Sequence, residues 1–249
     1  MKKSSEAARR VGRYVSVAAR LSVMTLGLVL LGLFLQVVAY KFVPVVDTPF
    51  MRTLACKNHV DVNQRWVPLS QISKAMPLAV VSSEDNLFTK HHGFSWNAIK
   101  AAAVHNAKAK RIHGASTISQ QTAKNVFLWN DRSWVRKGFE AVVTLMIETV
   151  WGKERIMEVY LNVVEFGPGV YGAEAAARKF FHHSAKTISP DEAALLAAVM
   201  PNPVRLKVSS PSPYVLRRQA KIRSLMRKIG AVRFESGGGG LTLRSRYGS

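Results

Sequence analysis

Cysteine and acidic residues are both scarce in this sequence. Cys56 is the only cysteine among 249 residues, which excludes an intrachain disulfide and a cluster of thiolate metal ligands. Only 15 Asp and Glu oppose 36 Lys and Arg, so the formal net charge is +21. Alternating strand patterns of any length and internal repeats are also missing, and the sequence therefore predicts a mainly α fold.

Long uncharged hydrophobic runs are limited to one, from Leu21 to Tyr40. As a helix, this run reaches about 30 Å, the thickness of a bilayer's hydrocarbon core, and predicts a transmembrane helix over residues 21–40. Residues 1–20 carry six Lys and Arg against one Glu. This bias predicts a cytoplasmic amino terminus and a single-pass anchor, with the rest of the chain outside the cytoplasm. Two other interpretations stay open: a cleaved signal peptide ending near Val37 and Ala39, and a buried helix of a soluble protein.

Positive charge persists after the predicted anchor. Residues 42–249 keep 29 Lys and Arg against 14 Asp and Glu, a balance that suits an anionic partner. An exported domain beside a membrane meets little nucleic acid, so we expect phospholipid and a phosphate-bearing lipid substrate instead. Apolar residues after the anchor, among them Met51 and Leu54, are candidates for contact with the membrane.

The rest of the chain divides into a connector, a helical domain and a tail. Three prolines fall within residues 41–68, which the sequence predicts as an extended connector. Residues 236–249 are rich in glycine and poor in apolar residues, which predicts a disordered tail. Between them, residues 69–235 form the predicted domain. Its predicted helices cover residues 70–84, 96–110, 117–127, 133–151, 153–161 and 172–181, followed by one that begins at residue 189 and one from residue 212 to residue 230.

Four polar clusters lie in or beside these helices, over residues 84–94, 113–124, 131–140 and 153–172. Each has an ordinary structural explanation: a solvated helix end, a cap by Ser116 or Thr117, an i,i+4 pair of Arg136 with Glu140, and a helix followed by a glycine turn. Capping accounts for one hydroxyl of the second cluster, but not for its further serine, two glutamines and lysine. Polar side chains beside free N–H groups at a helix start suit anion or sugar binding.

Taken together, the clusters resemble the peptidoglycan glycosyltransferases of glycosyltransferase family 51. That family's motifs run E-D-x-x-F-x-x-H-x-G, G-[GA]-S-T-[IL]-[ST]-Q-Q, R-K-x-x-E and K-x-x-I-L-E-x-Y-L-N. They match residues 84–93, 114–121, 136–140 and 153–162 in the same order, and the likeness extends over about residues 70–205. The departures are mild: Ala115 for a frequent glycine, Ser119 for a frequent threonine and Met157 for leucine.

The resemblance implies a lysozyme-like fold and a substrate, lipid II, which is a disaccharide-pentapeptide on polyprenyl pyrophosphate. It places the general base at Glu84, which would accept the proton of the attacking sugar hydroxyl. It makes Glu140 a second catalytic carboxylate whose role the sequence leaves open, including that of holding a divalent cation at the pyrophosphate. Because the leaving pyrophosphate needs positive charge beside it, basic residues complete the site. The residues expected to bind substrate are Lys124, Arg132, Arg136, Lys137, Ser116, Thr117, Gln120 and Gln121.

The expected activity is that of a monofunctional glycosyltransferase, and two alternatives to it stay open. Some relatives carry a second, transpeptidase domain with a Ser-x-x-Lys nucleophile, a spacing that does not occur here, so we expect a monofunctional enzyme. The expected partners are the growing lipid-linked glycan, the membrane and other proteins of cell-wall synthesis or division. A membrane-bound lytic enzyme with Glu84 as its acid is the first alternative, and a basic, non-catalytic membrane scaffold is the second.

Overall fold

The computed structural model describes residues 2–96, 99–100, 116–131, 133–232 and 234. The described part of the chain is mostly helical, which confirms the predicted mainly α class. Its helices are α1 (Lys2–Tyr40), α2 (Pro49–Asn58), α3 (Ala75–Glu84), α4 (Ile118–Phe127), α5 (Trp134–Val150), α6 (Lys153–Val163), α7 (Ala173–Phe181), α8 (Pro190–Val199) and α9 (Pro213–Ile229), with 3-10 turns at Leu69–Gln71 and Ala185–Thr187.

Helix α1 contains the predicted anchor. Within the described residues it is the one helix long and apolar enough to cross a membrane, over Gly12–Tyr40 with a mean hydropathy of 2.3. Most of its apolar side chains are exposed to the surroundings rather than packed in the domain. This is the pattern of a helix that has lipid as its solvent.

The carboxyl end of α1 is built into the core of the domain. Val37 is fully buried, and its carbonyl oxygen accepts a hydrogen bond of 2.7 Å from the indole Nε1 of Trp151. The Tyr40 ring lies 5.8 Å from the Phe127 ring, and the Tyr40 carbonyl accepts a hydrogen bond of 2.6 Å from Arg155. The anchor and the domain therefore meet through packed side chains and buried hydrogen bonds.

Residues 41–68 depart from the predicted extended connector, because Pro49–Asn58 form α2. Thr48 caps this helix by accepting the Met51 N–H at 3.2 Å, and Pro49 occupies the first turn, where its missing N–H costs nothing. Met51 is fully buried, so the expectation that it contacts the membrane is wrong; Leu54 is partly buried.

Three strands form a small sheet that the sequence did not predict. They are β1 (Asn63–Gln64), β2 (Glu165–Gly167) and β3 (Val170–Tyr171), in the order β1-β3-β2. Strand β1 is parallel to β3, whereas β2 is antiparallel to it. Strands of two or three residues are too short to show an alternating pattern, which explains the miss.

The helix boundaries follow the predicted ones closely. Thr117, one of the two expected caps, is the N-cap of α4, and α5 and α8 begin after the N-caps Ser133 and Ser189. Helix α9 ends at Gly230 with φ 82°. The helix predicted from residue 70 instead starts as a 3-10 turn and becomes α-helical only at Ala75. Residues 97–98 and 101–110 of a further predicted helix, and the predicted tail, lie outside the described residues.

Two groups of packed helices position the polar clusters. Helix α3 packs against α8 and α9 and also contacts α6, while α4 packs against α2, α5 and α6. Helix α1 packs against α5. Helix α4 therefore lies between the end of α3 and the start of α5, the two places that carry the predicted catalytic carboxylates.

Candidate active site

Glu84 is the last residue of α3, and its side chain is 16% exposed. Gln121 of α4 donates a hydrogen bond of 3.2 Å from Nε2 to Glu84 Oε2. Arg218 of α9 places Nη2 3.6 Å from Glu84 Oε1. One carboxylate oxygen thus receives an amide donor and the other faces a cation, while part of the group stays open to a ligand.

Tyr160 of α6 determines the orientation of the Gln121 amide. Its hydroxyl donates a hydrogen bond of 3.0 Å to Gln121 Oε1. Burial raises the pKa of Tyr160 well above its ordinary value, and the negative charges of Glu84 and Asp85 raise it further. Tyr160 therefore remains an O–H donor, and the Gln121 NH₂ group must point at Glu84.

Asp85 has a structural role beside the catalytic candidate. Its buried carboxylate lies 2.9 Å from His91 Nε2 and accepts the backbone N–H of Ile118 at 3.1 Å. Ile118 is the first residue of α4. Asp85 therefore ties the loop after α3 to the start of α4 and fixes the distance between the two helices.

Lys124 lies one turn after Gln121 on α4. Residues three apart on a helix are neighbours on one face, so the two side chains project to the same side. Burial lowers the pKa of the Lys124 ammonium. The carboxylate of Glu140 opposes that shift, whereas the positive charges of α5 add to it. Among the described residues, Lys124 forms no ion pair within 4.0 Å.

Glu140 lies on the inner side of α5 and is 3% exposed. Arg136 Nη1 donates to its Oε2 at 2.8 Å, and Lys137 Nζ forms an ion pair with its Oε1. The i,i+4 pair of Arg136 and Glu140 expected from the sequence is present, but it is buried, and Lys137 shares the same carboxylate. Together with Lys124, three of the described cations surround this carboxylate, so positive charge exceeds negative charge among these four groups.

The remaining predicted substrate-binding residues divide into separate groups. Thr117 and Gln120 form a capping box, with the Gln120 N–H 3.2 Å from Thr117 Oγ1 and the Thr117 N–H 3.0 Å from Gln120 Oε1. The Thr117 hydroxyl also donates to the carbonyl of Gly93 at 2.6 Å. Ser116 is exposed just before this cap. Arg132, predicted to contact the leaving group, lies outside the described residues.

Several polar residues of the site were not singled out as site residues from the sequence. Glu148 of α5 accepts a hydrogen bond from Ser119 and forms an ion pair of 2.6 Å with Lys153. Lys153 also lies 4.6 Å from the Phe88 ring centroid. A glutamate five residues before a lysine was the only local signal for this pair. Arg218 had no such signal, because it reaches Glu84 only through the packing of α9 on α3.

The described residues contain no group of three or more His, Cys, Asp or Glu suited to a metal ion. A divalent cation beside Glu140, one of the roles that the sequence left open, therefore has no preformed set of protein ligands in that part of the chain.

In this helical domain a partly exposed carboxylate, Glu84, ends one helix, and cations surround a second carboxylate, Glu140, on another. This arrangement suits an enzyme that acts on an anionic substrate. The family described as Transglycosylase matches residues 51–227, so this chain belongs to the transglycosylase family. The family predicted from the four motifs is confirmed.

Curated relatives agree with this assignment. The chain is 50% identical to a biosynthetic peptidoglycan transglycosylase of Pasteurella multocida (strain Pm70) over 207 residues, which cover 80% of this chain and 84% of that protein. It is 52% identical to the protein of that name from Bdellovibrio bacteriovorus over 191 residues, covering 75% and 76% of the two chains. A third, from Escherichia coli O139:H28, is 58% identical over 170 residues, covering 68% and 70%.

Proposed function

We propose that this chain polymerises lipid II into β-1,4-linked glycan strands and releases polyprenyl pyrophosphate, without transpeptidase activity. The observation that carries the proposal is the arrangement on α4, where Gln121 binds Glu84 and Lys124 follows one turn later with no described carboxylate partner. Helix α4 thus holds the proton acceptor at the end of α3 and, on the same face, carries a cation that forms no ion pair with a described residue. The relatives named as peptidoglycan transglycosylases support the same reaction.

Glu84 is the proposed general base. The hydroxyl of the incoming lipid II is a weak nucleophile and must lose its proton as it attacks the donor sugar. Gln121 and Arg218 hold the carboxylate from two sides, so its position is set before the substrate arrives. Attack from the face opposite the leaving group inverts an α-linked donor into a β-linked product.

The leaving pyrophosphate would be received by the cations around Glu140. A pyrophosphate is stable as an anion and needs no strong proton donor, but it needs positive charge where negative charge develops. Lys124 supplies a desolvated ammonium, and Arg136 supplies a planar group that binds phosphate oxygens through parallel hydrogen bonds. Arg132 and Lys137 are proposed to complete this site.

Glu140 is proposed to orient its cations. Both of its oxygens are already engaged, one by Arg136 and the other by Lys137. A carboxylate in that state has little capacity left for a divalent ion, so we favour an ionic scaffold over a metal site. We expect polymerisation to continue at full rate in the presence of a chelator. A loss of activity in chelator that added Mg²⁺ restores would instead favour a metal site at Glu140.

The remaining predicted binding residues keep narrower roles in the proposal. Thr117 and Gln120 would act by holding the start of α4, because their side chains are already hydrogen-bonded. Ser116, which is exposed, is proposed to face the sugar, and Gln121 to offer it the second N–H of the amide group that binds Glu84.

We further propose that α1 spans the inner membrane, with its amino terminus in the cytoplasm and the catalytic domain, residues 69–235, in the periplasm. Residues 41–68 would add α2 to that domain. Helix α5, which contacts α1, exposes Trp134, Val135 and Leu145, with Trp134 91% exposed. Tryptophan favours the membrane–water interface, so this face suits contact with the lipid surface. Lipid II, the lipid-linked glycan and the membrane are the partners, with cell-wall synthesis or division proteins also expected.

The test is incubation of the purified full chain with lipid II and, separately, with finished sacculus. We expect polymer from lipid II and no soluble fragments from sacculus. Glu84→Gln should lower polymerisation by about 10²–10⁴-fold while the fold is retained, and Lys124→Ala and Arg132→Ala should weaken use of the donor. Fragments from sacculus without polymer would establish the lytic alternative. Normal polymerisation by Glu84→Gln would remove the proposed base.

A further inference from the structure

We propose that Phe50 is a positioning residue for the donor site, whose ring holds the ammonium of Lys124 where the leaving pyrophosphate binds. Lys124 Nζ lies 4.9 Å from the centroid of the Phe50 ring, within the range of a cation–π interaction. This inference rests on the proposed function and extends it to α2. Phe50 lies just before residue 51, where the family match begins.

The ring is held in place by the structure around it. Phe50 follows Pro49 in the first turn of α2, which Thr48 caps. The next residue, Met51, is fully buried, and α2 packs directly against α4, which carries Lys124. The ring and the ammonium are thus fixed by two packed helices.

A ring suits this lysine better than a carboxylate would. The Lys124 ammonium is desolvated, and the nearby carboxylate of Glu140 is already shared by the two cations of α5. A second carboxylate would cancel the positive charge that the pyrophosphate needs. The negative face of an aromatic ring stabilises a desolvated ammonium and leaves its net charge intact.

A second lysine–phenylalanine pair, directly after the carboxyl end of α1, serves as a control. Lys41 Nζ lies 5.8 Å from the Phe42 ring, but Phe42 is 75% exposed and Lys41 is exposed as well. A cation–π pair that is exposed on the protein surface contributes little. Phe42→Leu therefore controls for the loss of an aromatic side chain near the membrane without any change at Lys124.

The experiment is a double-mutant cycle on the full chain in lipid II polymerisation, with kcat and KM measured separately. Phe50→Leu should lower kcat/KM about three- to tenfold, the worth of a partly buried cation–π pair. Phe50→Trp should restore it, and Phe42→Leu should match the wild type. Adding Phe50→Leu to Lys124→Ala should cause no further loss, because the ring acts through the lysine.

The proposal would be overturned if Phe50→Leu lowered kcat/KM by the same factor in the wild type and in Lys124→Ala. A wild-type kcat/KM in Phe50→Leu would overturn it as well. If Phe50→Leu lowers the thermal midpoint, Phe50→Tyr is compared with Phe50→Met, since the first keeps the ring and the second keeps apolar bulk. Equal activity of these two variants would also overturn it. Failure of the wild type to polymerise lipid II would instead refute the function on which the inference rests.

Discussion

Replacing Glu140 with glutamine removes the negative charge that Arg136 and Lys137 share while keeping the side chain's shape. The pair with Arg136 is well shielded, with side-chain exposures of 12% and 4%, whereas Lys137 is 41% exposed. Breaking a buried ion pair from one side costs about 3–5 kcal/mol, and an exposed pair is worth ~1 kcal/mol or less. Glutamine still accepts one hydrogen bond from Arg136. We therefore expect a loss of about 2 kcal/mol in the free energy of unfolding.

The same substitution should change how activity depends on pH. Glu140 opposes the effect of burial on Lys124, so its removal lowers the pKa of Lys124 further. The positive charges of Arg136 and Lys137 act in the same direction, and the Phe50 ring carries no net charge. Lys124 binds pyrophosphate in its protonated form, so activity at alkaline pH should be lost at a lower pH in Glu140→Gln than in the wild type.

The assay is initial polymerisation rate from lipid II at saturating and limiting substrate, from neutral to alkaline pH. Glu154→Gln is the matched control, because Glu154 is an exposed carboxylate at the start of the next helix. We expect its profile to superimpose on that of the wild type. Superimposable profiles for Glu140→Gln and the wild type would show that Lys124 is not controlled by this carboxylate, and would refute the reasoning.

Two further substitutions test the geometry around Glu84 and the turn before α7. Arg218→Gln should slow polymerisation about fivefold, since a partly shielded ion pair is worth ~1 kcal/mol, whereas the exposed neighbour Arg217→Gln should not; equal rates in both variants would contradict this. Gly172→Ala should destabilise the chain by about 3 kcal/mol, because φ is +85° and the new Cβ would lie 2.7 Å from the Asn162 carbonyl oxygen. An unchanged thermal midpoint in Gly172→Ala would refute that expectation.

Local sequence signals were sufficient for the helices that carry the site. Thr117, one of the two caps expected, caps α4, and α5 begins after Ser133 as its predicted range indicated, because capping depends on residues three positions apart. The spacing of Arg136 and Glu140 predicted their ion pair for the same reason. Each of these contacts forms within one or two turns of a helix, so the sequence alone specifies it.

Contacts between distant segments could not be read from the sequence. Gln121 was predicted to bind substrate, and only the packing of α4 against α6 and its contact with the end of α3 showed that its amide is shared between Tyr160 and Glu84. Helix α2 was missed because the prolines of residues 41–68 favour an extended chain until Pro49 is recognised at a first turn. The cap at Thr48 was the available signal for that helix.

The packed end of α1 affects the proposed reaction as well as the fold. Tyr40 contacts Phe127, the last residue of α4. The Val37 carbonyl accepts a hydrogen bond from Trp151, which directly follows α5. The proposed anchor therefore contacts the two helices that carry Lys124 and the cations around Glu140. A polyprenyl pyrophosphate presents its phosphates at a nearly constant height above the bilayer core. A packed junction holds the cations at one height, so less orientational freedom is lost when the donor binds than with a flexible linker.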